Sequence, residues 1–114
     1  MGGCIFCGIA RGEIPTRAVL ETDDVIAFHD LDPKAPTHVL VIPRRHIASI
    51  DAMAAGDEEL IGRVFAAAKD VARQLGIAGD GYRLVTNIGR NAGQSVDHLH
   101  VHVLGGRWLT WPPG

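Results

Sequence analysis

Polar and apolar residues alternate strictly near the C-terminus, in the run His98-Leu99-His100-Val101-His102-Val103-Leu104. Side chains of a β-strand point alternately to its two faces, whereas residues two apart on a helix spread around its axis. The spacing therefore predicts a strand with three histidines on one face, about 6.5 Å apart, and apolar residues on the other. The apolar face requires a second layer to pack against, so this run constrains the fold more than any other segment.

A row of imidazoles on one face is compatible with a solvated surface, a zinc site or a catalytic site. Three alternate residues of one straight strand rarely converge on an ion at about 2.0–2.1 Å, so two of them at most can share a zinc. A neutral imidazole whose second nitrogen donates to a fixed acceptor is a good nucleophile near pH 7. The row therefore favours catalysis.

Helical periodicity is clearest between Asp57 and Leu75, where apolar residues recur at three- and four-residue steps. Acidic residues at its start and Gly76 after its end suit the two helix termini. Shorter apolar runs predict strands at 18–21, 25–29, 38–42 and 82–87, and residues 4–11 form a short helix or turn. The order predicts an α+β fold, an antiparallel sheet with one long helix packed on it and the histidines facing outward or toward a second subunit.

Length and charge narrow the class of protein. The 114 residues suffice for one domain, residues 1–114, with one modest core. The net charge of −2 gives no electrostatic reason to expect nucleic-acid or acidic-membrane partners. No apolar run approaches the ~20 residues that cross a bilayer, and residues 1–4 show no signal peptide. We therefore expect a cytoplasmic protein with reduced thiols.

A glycine-containing loop, residues 91–95, leads directly into the histidine run. Gly93 permits close backbone approach, and consecutive N–H groups in such a turn form an anion-binding nest. Ser95 adds a hydroxyl and Asn87 an amide. Beside three histidines, this loop indicates a phosphate held for attack by a ring nitrogen.

The pair Cys4-x-x-Cys7 is ambiguous by itself. A redox motif opens a helix after a strand, and only three residues precede Cys4. A zinc site requires two further ligands.

Three stretches of the chain resemble the histidine triad (HIT) family. Residues 93–107 carry its motif His-x-His-x-His-x-x with apolar x, and residues 35–47 and the ending Trp111-Pro112-Pro113-Gly114 are similar to its nucleotide-binding (Hint) branch. The resemblance covers nearly the whole chain from Cys4 onward. It implies a homodimer that binds purine nucleoside monophosphates and hydrolyses purine nucleoside phosphoramidates.

The resemblance also implies roles for individual residues. His100 is the nucleophile that forms a nucleotidyl-histidine intermediate, His102 contacts the phosphate, Ser95 lies near the leaving amine, and His38 supports the site. The implied nucleotide-binding residues are Ile14, Phe28, His29, Asp30, Leu31, Asn87, Gly93, Gln94, Ser95, Val96, His100 and His102. From the residues alone, Phe28 fits core packing as well as a base pocket, and Asp30 fits a turn as well as ribose binding.

Some bacterial relatives have a similar cysteine pair, and the resemblance implies structural zinc on Cys4, Cys7, His46 and His98, with unligated thiols as the alternative. Two other functions stay open. One is a nucleotide-binding or zinc-dependent interaction module, and the other is a dinucleoside polyphosphate hydrolase.

Overall fold

The computed structural model describes residues 4–114, so the first three residues, on which the expectation of no signal peptide partly rests, lie outside it. Two α-helices, five strands and two short 3-10 helices follow one another along these residues. They are α1 (Ile5–Ala10), β1 (Ala18–Glu21), β2 (Val25–His29), β3 (Thr37–Pro43), the 3-10 helix Ile50–Ala52, α2 (Glu58–Gln74), β4 (Tyr82–Val85), the 3-10 helix Arg90–Ala92 and β5 (Val101–Gly105).

The five strands form one antiparallel sheet in the order β1-β2-β3-β5-β4. The predicted α+β architecture is confirmed, with α2 as the long helix. Asp57 and Leu75 are its capping residues, and Gly76 follows with φ +78°, a conformation that glycine adopts without strain. Neither α-helix within residues 4–114 has the length and apolar character that a bilayer crossing demands.

One face of the sheet packs against α2. Alternate residues of the central strands are fully buried there against small and β-branched residues of the helix. This cluster includes Val39, Val41, Val64, Ala68, Val71, Val101 and Val103. The predicted apolar side of the histidine run thus faces the long helix, as expected.

The opposite face is only partly open to solvent, so the prediction that the histidines face outward is wrong for His98 and His100, while its alternative, that they face a second subunit, stays a prediction. The short helix α1 lies over it, and its Phe6 belongs to a second apolar cluster with Phe28 and Leu40. His98 is 0% exposed and His100 4% exposed beneath this cover. The histidines therefore act in a partly desolvated setting.

The regular strand β5 is also shorter than the predicted strand 98–104. The register of β3 with β5 pairs Val41 with Val101, and its continuation would place Pro43 opposite Leu99. Proline has no N–H to extend the ladder. Leu99 instead donates its N–H to the carbonyl of Ile47 at 2.7 Å, so the chain leaves the sheet before Val101. The predicted strand 82–87 likewise ends at Val85.

We expect Val71→Ala to lower the free energy of unfolding by about 2 kcal/mol, because it opens a cavity between α2 and the sheet. Lys69→Ala, on the exposed side of the same helix, is the control and should change it by less than about 0.5 kcal/mol. Urea unfolding followed by circular dichroism measures both. Equal losses in the two variants would contradict this packing.

Candidate functional site

The ring of His98 is fixed by a backbone carbonyl. Its Nε2 lies 2.8 Å from the carbonyl oxygen of Pro43, which only accepts, so Nε2 carries the proton and donates. The neutral ring then keeps its lone pair on Nδ1. That nitrogen faces the two cysteines, at 3.4 Å from Sγ of Cys4 and 3.6 Å from Sγ of Cys7.

His100 has the opposite tautomer. Its Nδ1 lies 2.7 Å from the carbonyl oxygen of His98 and must donate to it, which leaves the lone pair on Nε2. Its own carbonyl accepts from the hydroxyl of Thr86 at 2.9 Å. Among residues 4–114 every buried side-chain nitrogen has a hydrogen-bond partner, and Nε2 of His100 has none, so this nitrogen is open to solvent. In the neutral ring, this nitrogen therefore holds its lone pair at a fixed position.

A hydrogen-bond chain determines the tautomer of His102. The backbone N–H of Lys34 donates to Nδ1 of His38 at 3.0 Å, so neutral His38 carries its proton on Nε2. That nitrogen lies 2.9 Å from Nδ1 of His102 and donates to it. His102 consequently carries its own proton on Nε2. It presents a donor beside His100, whose ring centroid lies 5.1 Å away.

Asp30 combines a turn with a contact to this chain. Its Oδ1 accepts the N–H of Asp32 at 2.8 Å, which confirms that it can cap a turn, and its Oδ2 lies 3.4 Å from Nε2 of His38. Asp30, His38 and His102 are close enough together to suggest a metal site. A cation on Nε2 of His38 would have to displace its proton, since the Lys34 amide occupies the other nitrogen. The hydrogen bonds therefore favour a proton chain at this position.

Burial keeps these imidazoles neutral. Desolvation, assisted by the neighbouring His100 and His38, lowers the pKa of His102 to about 4, against a smaller opposing effect of Asp30. Desolvation also lowers the pKa of His38. Both rings are thus uncharged near pH 7, as the tautomer assignment requires.

A second group of side chains gathers at the start of α1. Ligand atoms of Cys4, Cys7, His46 and His98 all lie within 4.8 Å of one another. Nδ1 of His46 is 3.3 Å from Sγ of Cys7 and 3.2 Å from Nδ1 of His98. A tetrahedral zinc with Zn–S of about 2.3 Å and Zn–N of about 2.0 Å separates its ligand atoms by about 3.3–3.8 Å. The spacing of the four side chains fits that ion.

The chemistry of these donors fits as well. Burial raises the pKa of the Cys7 thiol, so a thiolate there requires a compensating cation. Burial lowers the pKa of His98, which keeps its Nδ1 lone pair available. The bond from His98 to the Pro43 carbonyl is the kind of second hydrogen bond that orients metal-binding histidines.

The predicted nucleoside-binding residues fall into two groups. Ile14, Phe28 and Val96 belong to the apolar cluster under α1, where Phe28 is 4% exposed. His29 and Asn87 are half-buried, whereas Leu31 is 93% exposed. The low exposure of Phe28 shows that its side chain packs in the core. The structure places Ile14, Phe28 and Val96 in one cluster, and the exposed Leu31 lies outside it.

In the predicted phosphate loop, the backbone at Gly93 has a conformation that favours glycine, as the sequence indicates. Gly93 has φ +79° and ψ +30°, a left-handed conformation. Ser95 is exposed, and within residues 4–114 neither its N–H nor that of Val96 donates to a protein acceptor. These two amides and the Ser95 hydroxyl are available to an anion.

Phe6 is a site residue that the sequence did not identify. Its ring packs edge-to-face on His100 at 5.1 Å and on His98 at 5.9 Å between centroids. The only signal was the apolar spacing of Phe6, Ile9 and Ala10 on one side of a six-residue helix. The Pro43 carbonyl and the Lys34 amide gave no signal, because backbone groups carry none.

Comparison with known proteins gives a consistent result. The sequence profile of the HIT domain matches residues 11–109. A purine nucleoside phosphoramidase of Escherichia coli is 48% identical over 105 residues, which are 92% of this chain and 88% of that protein.

Solved structures are similar over nearly the whole chain. A HIT family hydrolase from Legionella pneumophila superposes with a TM-score of 0.96 at 48% identity, covering 98% of this chain and 100% of that one. A histidine triad nucleotide-binding protein from Candida albicans gives a TM-score of 0.82 at 32% identity, with coverages of 96% and 83%.

We expect His102 to titrate with a midpoint near pH 4 in the folded protein, since burial opposes its charge. In urea the midpoint should return to about 6.5. The pKa of His102 is lower in the folded state than in the unfolded state, so its protonation favours unfolding. The free energy of unfolding should therefore decrease as the pH falls from about 6.5 toward 4. NMR of the ring protons measures the midpoint, and a folded value near 6.5 would show that the ring is solvated.

Proposed function

This chain belongs to the HIT domain family, and we propose that it hydrolyses purine nucleoside phosphoramidates to a nucleoside monophosphate and an amine. The observation that carries the proposal is the pair of opposite tautomers on neighbouring rings. His100 has an accessible Nε2 lone pair, and His102 has an Nε2–H donor. One attacks phosphorus while the other stabilises charge on a phosphoryl oxygen.

The reaction has two displacements at phosphorus. In the first, a bond forms from Nε2 of His100 to phosphorus, and the phosphorus–nitrogen bond to the amine breaks. The amine leaves with the bonding electron pair and takes a proton delivered by the Ser95 hydroxyl, which regains a proton from the water of the second displacement. In the second, water replaces His100 on phosphorus and releases the monophosphate. The fixed Nδ1–H of His100 disperses the positive charge that its ring carries in the intermediate.

The apolar cluster beside the rings supports a flat base as the other end of the substrate. Ile14 and Val96 are half-buried against the cluster that contains Phe28, so part of their apolar surface is open. Asp30 follows Phe28 by two residues, and its Oδ2 lies 3.4 Å from Nε2 of His38. An apolar surface with an acidic group nearby suits a base and ribose hydroxyls.

We expect His100→Ala to lower kcat/KM for an adenosine phosphoramidate by at least about 10³-fold, because no other group replaces the nucleophile. Wild type mixed briefly with substrate should gain the mass of one nucleotidyl group, located by peptide mapping on His100. Mass spectrometry at neutral pH is required to preserve the phosphorus–nitrogen bond.

The same assay distinguishes the alternatives. Faster turnover of a diadenosine polyphosphate than of the phosphoramidate would favour the dinucleoside polyphosphate hydrolase. Tight binding of the monophosphate with turnover that is equal in wild type and His100→Ala would favour a binding module. Thermal melting of both proteins controls for misfolding.

We further propose that Cys4, Cys7, His46 and His98 hold zinc, supported by donor spacings of 3.2–3.6 Å. The ion would supply positive charge for two thiolates and join α1 to His98, two residues before the nucleophile. Such a site suits the reducing cytoplasm, where we place the protein.

Association of two chains is also part of the proposal. Strand β4 is an edge of the sheet, and its four residues are only half-buried. Trp108 and Trp111 are 88% and 79% exposed in the C-terminal segment. An open edge and exposed aromatic residues favour pairing with a second copy.

Native mass spectrometry tests zinc and association together. We expect a species of two chains with two zinc ions. Cys7→Ser should lose the metal, because a hydroxyl is a poor zinc ligand. Gln74→Leu, on the exposed surface far from the cysteines, serves as the control and should retain it. A metal-free single chain would contradict both proposals.

A further inference from the structure

The side chain of Gln94 is committed to hydrogen bonds inside the protein. Its Nε2 donates to the carbonyl of Ala48 at 2.7 Å and to that of Val96 at 3.1 Å. Its Oε1 accepts the backbone N–H of Gly89 at 2.9 Å. Its own backbone N–H donates to the carbonyl of Gly89 at 3.1 Å.

These partners leave Gln94 no free donor for a ligand. Both carboxamide hydrogens point to carbonyls, and a flipped amide would bring its oxygen against those same carbonyls, so the orientation is unambiguous. The backbone N–H is used as well. Gln94 lies in the sequence that resembles a phosphate-binding motif, but its contacts are those of a loop support.

Apart from the bonds of Gln94, the loop it supports has, within residues 4–114, one backbone hydrogen bond, from the Gly93 N–H to the carbonyl of Arg90 at 3.0 Å, which closes the 3-10 helix Arg90–Ala92. Gly89 and Gly93 both have positive φ, and a loop with two glycines loses much conformational entropy when it is ordered. Gln94 closes the loop by binding both the N–H and the carbonyl of Gly89. The free amides of Ser95 and Val96 follow directly after it.

Gln94 also ties the loop to the segment that holds the other groups of the site. Ala48, its acceptor, follows Ile47, whose carbonyl accepts from Leu99 between His98 and His100. Gln94 and Leu99 are therefore bound to the carbonyls of two consecutive residues, Ala48 and Ile47.

We propose that Gln94 is a positioning residue of the phosphate loop, whose carboxamide holds Ser95 and the adjacent free amides in place without touching the substrate. The proposal deepens the proposed function and rests on it. Its consequence is that Gln94 and Ser95 act as one unit in the reaction.

The experiment is a double-mutant cycle with an adenosine phosphoramidate. We expect Gln94→Leu to lower kcat/KM by about 30-fold or more, because Ser95 is no longer held in place. In the Ser95→Ala background, the same change should cost less than about 3-fold. Gln94→Glu, which keeps the shape but loses both donors, should behave like Gln94→Leu. The control Gln74→Leu removes an amide bonded to the Val19 carbonyl, remote from the loop, and should have no effect.

Two results would overturn the proposal. If the fold-decreases in kcat/KM of the two single variants multiplied in the double variant, Gln94 would act on the substrate independently of Ser95. An unchanged kcat/KM in both Gln94→Leu and Gln94→Glu would show that Gln94 has no role in the reaction.

A readout without substrate separates this proposal from the proposed function. Amide hydrogen exchange at Gly89 should accelerate at least about 10-fold in ligand-free Gln94→Leu, since its acceptor is lost. Unchanged exchange would overturn the supporting role. The cycle repeated on adenosine monophosphate affinity needs no turnover. If the effects of the Gln94 and Ser95 substitutions on this affinity were independent while the wild type still turned over the phosphoramidate, the positioning role of Gln94 would be wrong and the proposed reaction would stand. A wild type without turnover would instead contradict the proposed reaction.

Discussion

The hydrogen bond from His98 to the Pro43 carbonyl organises the rest of the site. Pro43 ends the ladder between β3 and β5, and the carbonyl left at that point accepts from the His98 ring at 2.8 Å. This bond turns the other ring nitrogen toward the cysteines. The carbonyl of His98 in turn fixes the proton of His100. One residue thus connects the candidate metal cluster to the candidate nucleophile, through its ring on one side and its backbone on the other.

The short segment 46–48 is the second support. His46 joins the cysteine cluster, the carbonyl of Ile47 holds Leu99, and the carbonyl of Ala48 holds Gln94. Each contact fixes a different part of the site, and all three come from consecutive residues. Rigid placement of reacting groups by such surrounding contacts is the main contribution that a small fold can make to a displacement at phosphorus.

Burial gives the three histidines different chemistry despite their identical side chains. Under α1 and Phe6, His98 and His100 are almost fully withdrawn from water, and burial lowers the pKa of His98 and of His102. Each proton position follows from a backbone group, directly for His98 and His100 and through the His38 ring for His102. Pro43 and His98 supply acceptors, and Lys34 supplies a donor. The result is one nitrogen facing the cysteines, one free for attack and one N–H donor.

The alternation of residues 98–104, the helical period of residues 57–75 and the order of the shorter apolar runs were sufficient to predict an antiparallel sheet with one long helix, because these patterns are local. The likeness of residues 93–107 to a known motif also singled out the histidines and the phosphate loop. Tertiary structure decided the burial of the histidine face by α1, the early end of β5 at Pro43 and the use of the Gln94 side chain. It also decided every tautomer. These features depend on backbone carbonyls and amides brought together across dozens of residues, and such groups are the same in every sequence until the fold places them.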